Sequence, residues 1–101
     1  MSRRIKLSRR SVRNLETLLD YLKSNWSLEV KNNFIKKLDS GLLHLGRFPE
    51  SHPESDVKKG LHKYVLTKQT TIYYKFNTSS LLVVALFDTR QHPQKIKGET
   101  K

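Results

Sequence analysis

LHKYVLTKQTTIYYKFNTSSLLVVALF, residues 61–87, is the stretch that decides the fold. It divides into Leu61–Leu66, Thr70–Phe76 and Leu81–Phe87, rich in β-branched and aromatic residues and separated by Thr67-Lys68-Gln69 and Asn77-Thr78-Ser79-Ser80. Gaps this short join antiparallel neighbours, so the three runs predict a meander. The last run is apolar on both parities, which places it as a central strand buried on both faces. The first two alternate, so each has one side open to solvent. Leu81–Phe87 is also the longest uninterrupted apolar stretch, far short of the ~20 residues a membrane helix needs, so no membrane association is expected.

Upstream of the meander the period changes. Ile5-Lys6-Leu7 makes a short strand, and Ser8 stands as an N-cap before Val12, Leu15, Leu19, Leu22 and Trp26, which step by three and four residues. That spacing predicts an amphipathic helix over 9–24. Ser27 is a second N-cap, with Glu29 near the positive end of the helix dipole. Val30, Phe34, Leu38, Leu42 and Leu45, with Ile35 beside them, carry a second helix to about Arg47. The short connection over 25–28 makes the two an αα-hairpin whose joined apolar stripe must cover a sheet. Gly41 inside the second helix costs about 1 kcal/mol relative to alanine, which predicts the close approach of another backbone there. Residues 48–60 turn polar, hold two prolines and lose periodicity, as an exposed loop would. The order β-α-α-β-β-β is an α+β fold: a helical hairpin packed on one face of a curled, mainly antiparallel sheet, with the other face left for function.

A chain of 101 residues buries one core, so the reading is a single domain over 1–101, with a basic tail at 93–101 expected to be flexible. There is no cysteine, which excludes disulfides, thiolate catalysis and zinc–thiolate sites. The basic N-terminus lacks the apolar core of a signal peptide, and with the absence of cysteine this points to the cytoplasm. The net charge of +11 is unevenly spread: residues 1–13 carry +6, 14–56 carry −2 and 57–101 carry +7. Two basic flanks around a balanced middle suit a polyanion or an acidic protein partner, although the same charge also serves solubility.

Order, length and basic sheet half together resemble the RelE/ParE toxin superfamily. Arg4–Leu22 is similar to its opening strand and helix. Trp26-Ser27 followed by Phe34, Leu38, Leu42 and Leu45 is similar to its second helix, which ends in Phe48-Pro49. Gly60-Leu61, Tyr64-Val65-Leu66, Ile72-Tyr73-Tyr74-Lys75-Phe76 and the segment Phe87-Asp88-Thr89-Arg90-Gln91-His92-Pro93-Gln94-Lys95 resemble its strands and closing Asp-x-Arg-x-x-Pro pattern. The resemblance runs from about residue 4 to 96. It implies the toxin component of a type II toxin–antitoxin system, familiar also as plasmid stabilisation proteins. Such a toxin is neutralised by a cognate antitoxin, in a heterotetramer or larger complex. Superfamily members either inhibit DNA gyrase or cleave messenger RNA on the ribosome.

The resemblance also marks residues. In a ribosome-dependent nuclease Lys75 and Arg90 would hold the scissile phosphate and His92 or Tyr73 would move the proton. Each has a bland alternative. Tyr73 and Tyr74 point to opposite faces of a strand, so at least one packs in the core. Arg90 can pair with Asp88 instead, and His92, before a proline, can be an exposed loop histidine. Contacts to nucleic acid or target would come from Arg3, Arg4, Arg9, Arg10 and Arg13 at the N-terminus and from Lys63, Lys75, Arg90 and Lys95. Arg13 can also pair with Glu16 one turn on. His44, His52, His62 and His92 show no ligand spacing, so neither metal nor cofactor is expected. Where many cleaving members have an arginine after Gly60-Leu61, this chain has His62-Lys63, and a lysine lacks the guanidinium fork. That departure favours a ParE-like inhibitor over a RelE-like messenger-RNA endonuclease. A basic nucleic-acid-binding domain without toxicity is the third reading.

Overall fold

A computed structural model of the chain describes residues 3–55 and 60–90. Its elements are β1 (Arg4–Leu7), α1 (Arg9–Asn25), α2 (Leu28–Arg47), a 3-10 turn at Pro49–Ser51, β2 (His62–Val65), β3 (Thr70–Phe76) and β4 (Ser80–Asp88). Both caps act as their residue types require. Ser8 is extended, and its Oγ accepts the Ser11 N–H at 3.0 Å, while the Ser27 Oγ accepts the Val30 N–H at 3.0 Å. The Ser8 hydroxyl also donates to the Val84 carbonyl at 2.7 Å, so one side chain starts α1 and fastens it to the sheet.

The sheet order is β1-β4-β3-β2, with β1 parallel to β4 and the other pairs antiparallel. Leu18 and Leu22 of α1 and Phe34, Leu38 and Leu45 of α2 bury against Ile72, Tyr74, Leu81, Val83 and Leu86 on one sheet face. Trp26 does not join them. It is the C-cap of α1 and 55% exposed, because one turn past Leu22 the helix has run beyond the sheet it covers.

β4 is interior, as its composition requires, but it is not sealed on both faces. A bulge leaves Val84 unpaired between the partners Tyr74↔Val83 and Tyr73↔Ala85. The phase of the strand flips there, so Leu81, Val83, Leu86 and Asp88 all point to the helices while Leu82 and Phe87 are half-buried on the far side. β1 ends opposite Val83, and the rest of that edge of β4 is met by α1: Ser8 takes the Val84 carbonyl, and the Asn14 Oδ1 accepts the Leu86 N–H at 3.2 Å.

The polar segment after α2 differs from an exposed loop. Pro49 and Ser55 are buried, and Glu54 bridges to His62. The Tyr74 hydroxyl, itself buried, donates to the Pro49 carbonyl at 2.6 Å. Burial, reinforced by the negative charge of Glu50, pushes this phenol up from 10.0 to about 12. A raised folded value means the unfolded chain loses its phenolic proton first. The contribution of Tyr74 is therefore complete below pH 10 and is lost as pH rises toward about 12. Alkaline denaturation followed by circular dichroism should show this loss in the wild type, with a smaller loss over the same range in Tyr74→Phe.

Gly41 of α2 is buried, and what approaches it is side chain and not backbone. A Cβ there would stand 2.6 Å from Leu66 Cδ1 and 3.2 Å from Tyr64 Cε2. The leucine tip can rotate away but a ring carbon cannot, so room exists for at most a methyl group. Gly41→Leu is expected to overpack the helix–sheet contact and destabilise by about 2 kcal/mol, read from the urea midpoint.

Candidate functional site

The sheet face opposite the helices is lined by cations. Direct cross-strand partners share a face, so the register puts Lys6, Leu82 and Lys75 in one row across β1, β4 and β3. Lys63, Tyr73 and Ala85 form the next row, and Val65, Thr71 and Phe87 the third. Arg4, opposite Ser80, extends the first edge. Four basic side chains and one phenol thus stand among half-buried apolar residues, and the strands bring no carboxylate to this face. A shallow cavity of about 260 Å³ lies at one end, lined by Lys6, Lys75, Phe76, Asn77, Ser80 and Leu82. Its floor is stiff because the Asn77 Oδ1 accepts the N–H groups of Ser79 and Ser80 at 2.9 and 2.8 Å.

Arg90 is elsewhere. Its Nε and Nη2 donate to the two carboxylate oxygens of Asp88 at 3.1 and 2.9 Å, and its backbone N–H donates to the same group at 2.9 Å. Asp88 is fully buried and also accepts the Thr70 hydroxyl at 2.5 Å. The Arg90 guanidinium lies 5.8 Å from the ring centre of Trp26, which belongs to the helical side of the molecule. Asp88 pairs with Thr70 at one end of β3 and β4, and Lys75 with Leu82 toward the other end. Five residues of strand, roughly 17 Å, lie between the rows, and the side chains leave opposite faces.

The residues singled out in the sequence therefore fall into separate groups. Lys63, Tyr73 and Lys75 come together, joined by Lys6 of the basic N-terminal run, whose place beside them depends on the pairing of β1 with β4. Arg90 takes the structural use that its spacing from Asp88 allowed. His92 and Lys95 lie outside the described residues, as does the tail 93–101. Arg3 is engaged as a tie: its Nε donates to the Asn77 carbonyl at 2.6 Å, its guanidinium lies 5.3 Å from the Phe76 ring centre, and Glu50 is 4.0 Å away. Arg4, Arg9, Arg10 and Arg13 are exposed, and Arg13 makes no ion pair with Glu16. His44, His52 and His62 converge despite their irregular spacing, since the segment 49–55 folds back along β2. Among the described residues no group of three or more histidine, aspartate or glutamate side chains is placed to hold a metal ion, and no helix is long and apolar enough to cross a membrane.

The profile of the ParE toxin of type II toxin–antitoxin systems, parDE, matches residues 5–93. The chain belongs to the ParE toxin family. Its fold has solved counterparts within and beyond the ParE family. A chain of the chromosomal ParDE toxin–antitoxin system from P. aeruginosa is similar with a TM-score of 0.72 at 10% identity, covering 86% of this chain and 96% of that one. A chain of the E. coli DinJ–YafQ toxin–antitoxin complex follows at 0.61 and 11% identity, covering 91% and 98%. YafQ from E. coli strain BL21(DE3) gives 0.54 at 13% identity, covering 87% and 94%. No curated protein matches significantly in sequence. At such identities the shared property is the fold, two helices on a four-stranded mixed sheet, and this ParE-family chain keeps it with different side chains.

Proposed function

We propose that this ParE-type toxin arrests growth by binding DNA gyrase and that a co-expressed antitoxin holds it silent. The observation that carries the reading is the commitment of Arg90. A nuclease needs phosphate-holding cations and a proton-transfer group converging on one reacting atom. Here the guanidinium is tied to a buried carboxylate and an indole, on the sheet face opposite Tyr73 and Lys75 and toward the other end of the strands from Lys75. An inhibitor that works by contact needs no such convergence; it needs a shaped, charged surface, which the cationic sheet face supplies. Membership of the ParE family supports the same side, and the toxin–antitoxin complexes among the similar structures support an antitoxin partner.

The cluster of Lys63, Tyr73 and Lys75 on one face favours messenger-RNA cleavage as the second reading. Expression of the chain alone, with message ends mapped in the arrested cells and the purified protein added to a gyrase supercoiling assay, separates the two. Intact messages with inhibited supercoiling are the expected result. New codon-phased 5′ ends with unaffected gyrase would replace the proposal by the nuclease reading, and unimpeded growth would overturn both.

A further inference from the structure

Behind the cationic face, at the outer edge of β2, the chain has built a histidine contact that the function above does not use. The His44 Nε2, in the last turn of α2, lies 2.8 Å from the His52 Nε2, just past the 3-10 turn. The ring centres are 5.0 Å apart, which is the nitrogen separation plus the two ring radii, so the rings aim head-on at one another. That is the geometry of a linear hydrogen bond, with one proton between two nitrogens. A metal ion would need both lone pairs turned toward a common point beside that line.

His52 sits on a segment that covers strand edge. The Lys63 N–H donates to the Pro53 carbonyl at 3.0 Å, and the Ser55 N–H to the Leu61 carbonyl at 2.5 Å. The His62 Nδ1 adds a 2.8 Å bond to the His52 carbonyl, and the Tyr74 hydroxyl holds Pro49. Groups that Leu61 and the start of β2 would otherwise present to solvent are thereby satisfied by Pro53–Ser55.

We propose that His44 and His52 form a proton-operated latch that clamps residues 49–55 over the β2 edge at neutral pH and frees them on acidification. A pair of imidazoles can share one such bond while either is neutral; once both are protonated, each presents an N–H and a positive charge to the other. The surroundings offer the second charge no relief. The titratable neighbours of His52 are His44 from α2, His62 and Tyr64 from β2, and Glu50 and Glu54 on its own segment. Glu54 is turned to the Gly60 N–H and Glu50 toward Arg3, while Arg47, the other cation in the last turn of α2, is exposed. Among the described residues no carboxylate oxygen lies within 4.0 Å of a ring nitrogen of either histidine.

Burial first, then the nearby His44 and His62, hold His52 below its ordinary 6.5. Because the folded value is the lower one, the unfolded segment takes up protons first as pH falls. The clamp is complete above 6.5 and is lost as pH drops through the depressed value. His62 cannot be the trigger by loss of its bond, since an Nδ1–H donating to a carbonyl survives protonation of the ring.

Amide hydrogen exchange of the intact chain tests the latch, corrected for the intrinsic pH dependence of exchange. Between about pH 7.5 and about pH 5, protection at Ser55 and Lys63 is expected to fall about tenfold or more while that of β3 and β4 is retained. His44→Leu, which removes the second imidazole while leaving His52 its burial and His62, is expected to diminish this step clearly. Equal protection at both pH values in the wild type would overturn the latch. So would loosening of the whole sheet in parallel, or an undiminished step in His44→Leu.

Discussion

Replacing Asp88 with alanine is expected to lower the unfolding free energy by about 3 kcal/mol or more, seen as an earlier urea midpoint with an unchanged slope. The carboxylate is fully buried and accepts from the Thr70 hydroxyl, the Arg90 backbone and two guanidinium nitrogens. Its removal leaves Arg90, whose side chain is only 19% exposed, without a counter-charge, and it leaves the buried Thr70 hydroxyl without an acceptor. Taking away one member of a buried pair costs more than the pair contributed, because the desolvation of the survivor is no longer offset. Asp88→Asn keeps the volume and one acceptor oxygen and should cost less. A loss below about 1 kcal/mol in Asp88→Ala would mean that Arg90 finds water as easily as it finds Asp88, and would remove the argument that this arginine is committed to structure.

Leu45→Ala is expected to be costlier still, about 4 kcal/mol, in the upper part of the range for a buried leucine. The cost depends on whether the walls can close on the space left behind, and here they are pinned. The carbonyl of the adjacent Gly46 accepts the Arg3 N–H at 3.0 Å, which locks the end of α2 against the chain entering β1. Two residues further on, the Phe48 N–H donates to the His44 carbonyl at 2.9 Å, and the Pro49 carbonyl is held by Tyr74. Chemical denaturation of the purified variant measures the loss. A value near 2 kcal/mol would show that α2 slides inward despite these ties.

Most of the architecture was legible because each element carries its own period. Ser8 and Ser27 announced both helices to within a residue, since an N-cap is a local interaction that distant contacts do not alter. The meander was equally plain from its turns. β4 was misread, and the cause is the bulge at Val84. Two stretches of ordinary alternation joined out of phase look like a strand that is apolar on both sides. Only pairing with β3 shows where the phase changes. Trp26 was misplaced for a related reason: the three-and-four spacing continued after the sheet beneath it had ended. The site was half legible. Tyr73 and Lys75 share a face by simple parity, whereas the separation of Arg90 from them depends on tertiary register, as does the meeting of His44 with His52 across the end of α2 and the 3-10 turn. Sequence spacing constrains partners within one element and is silent about partners between elements.

The shortness of β1 has a consequence for the solution behaviour of the chain on its own. A sheet recruits further copies of itself through a repeating row of outward donors and acceptors, and a strand that stops early would leave such a row along β4. Ser8 and Asn14 interrupt it with a hydroxyl and an amide oxygen delivered from a helix, which no incoming strand can extend. Copies of the chain at high local concentration are thereby denied the simplest route to fibrils along that edge.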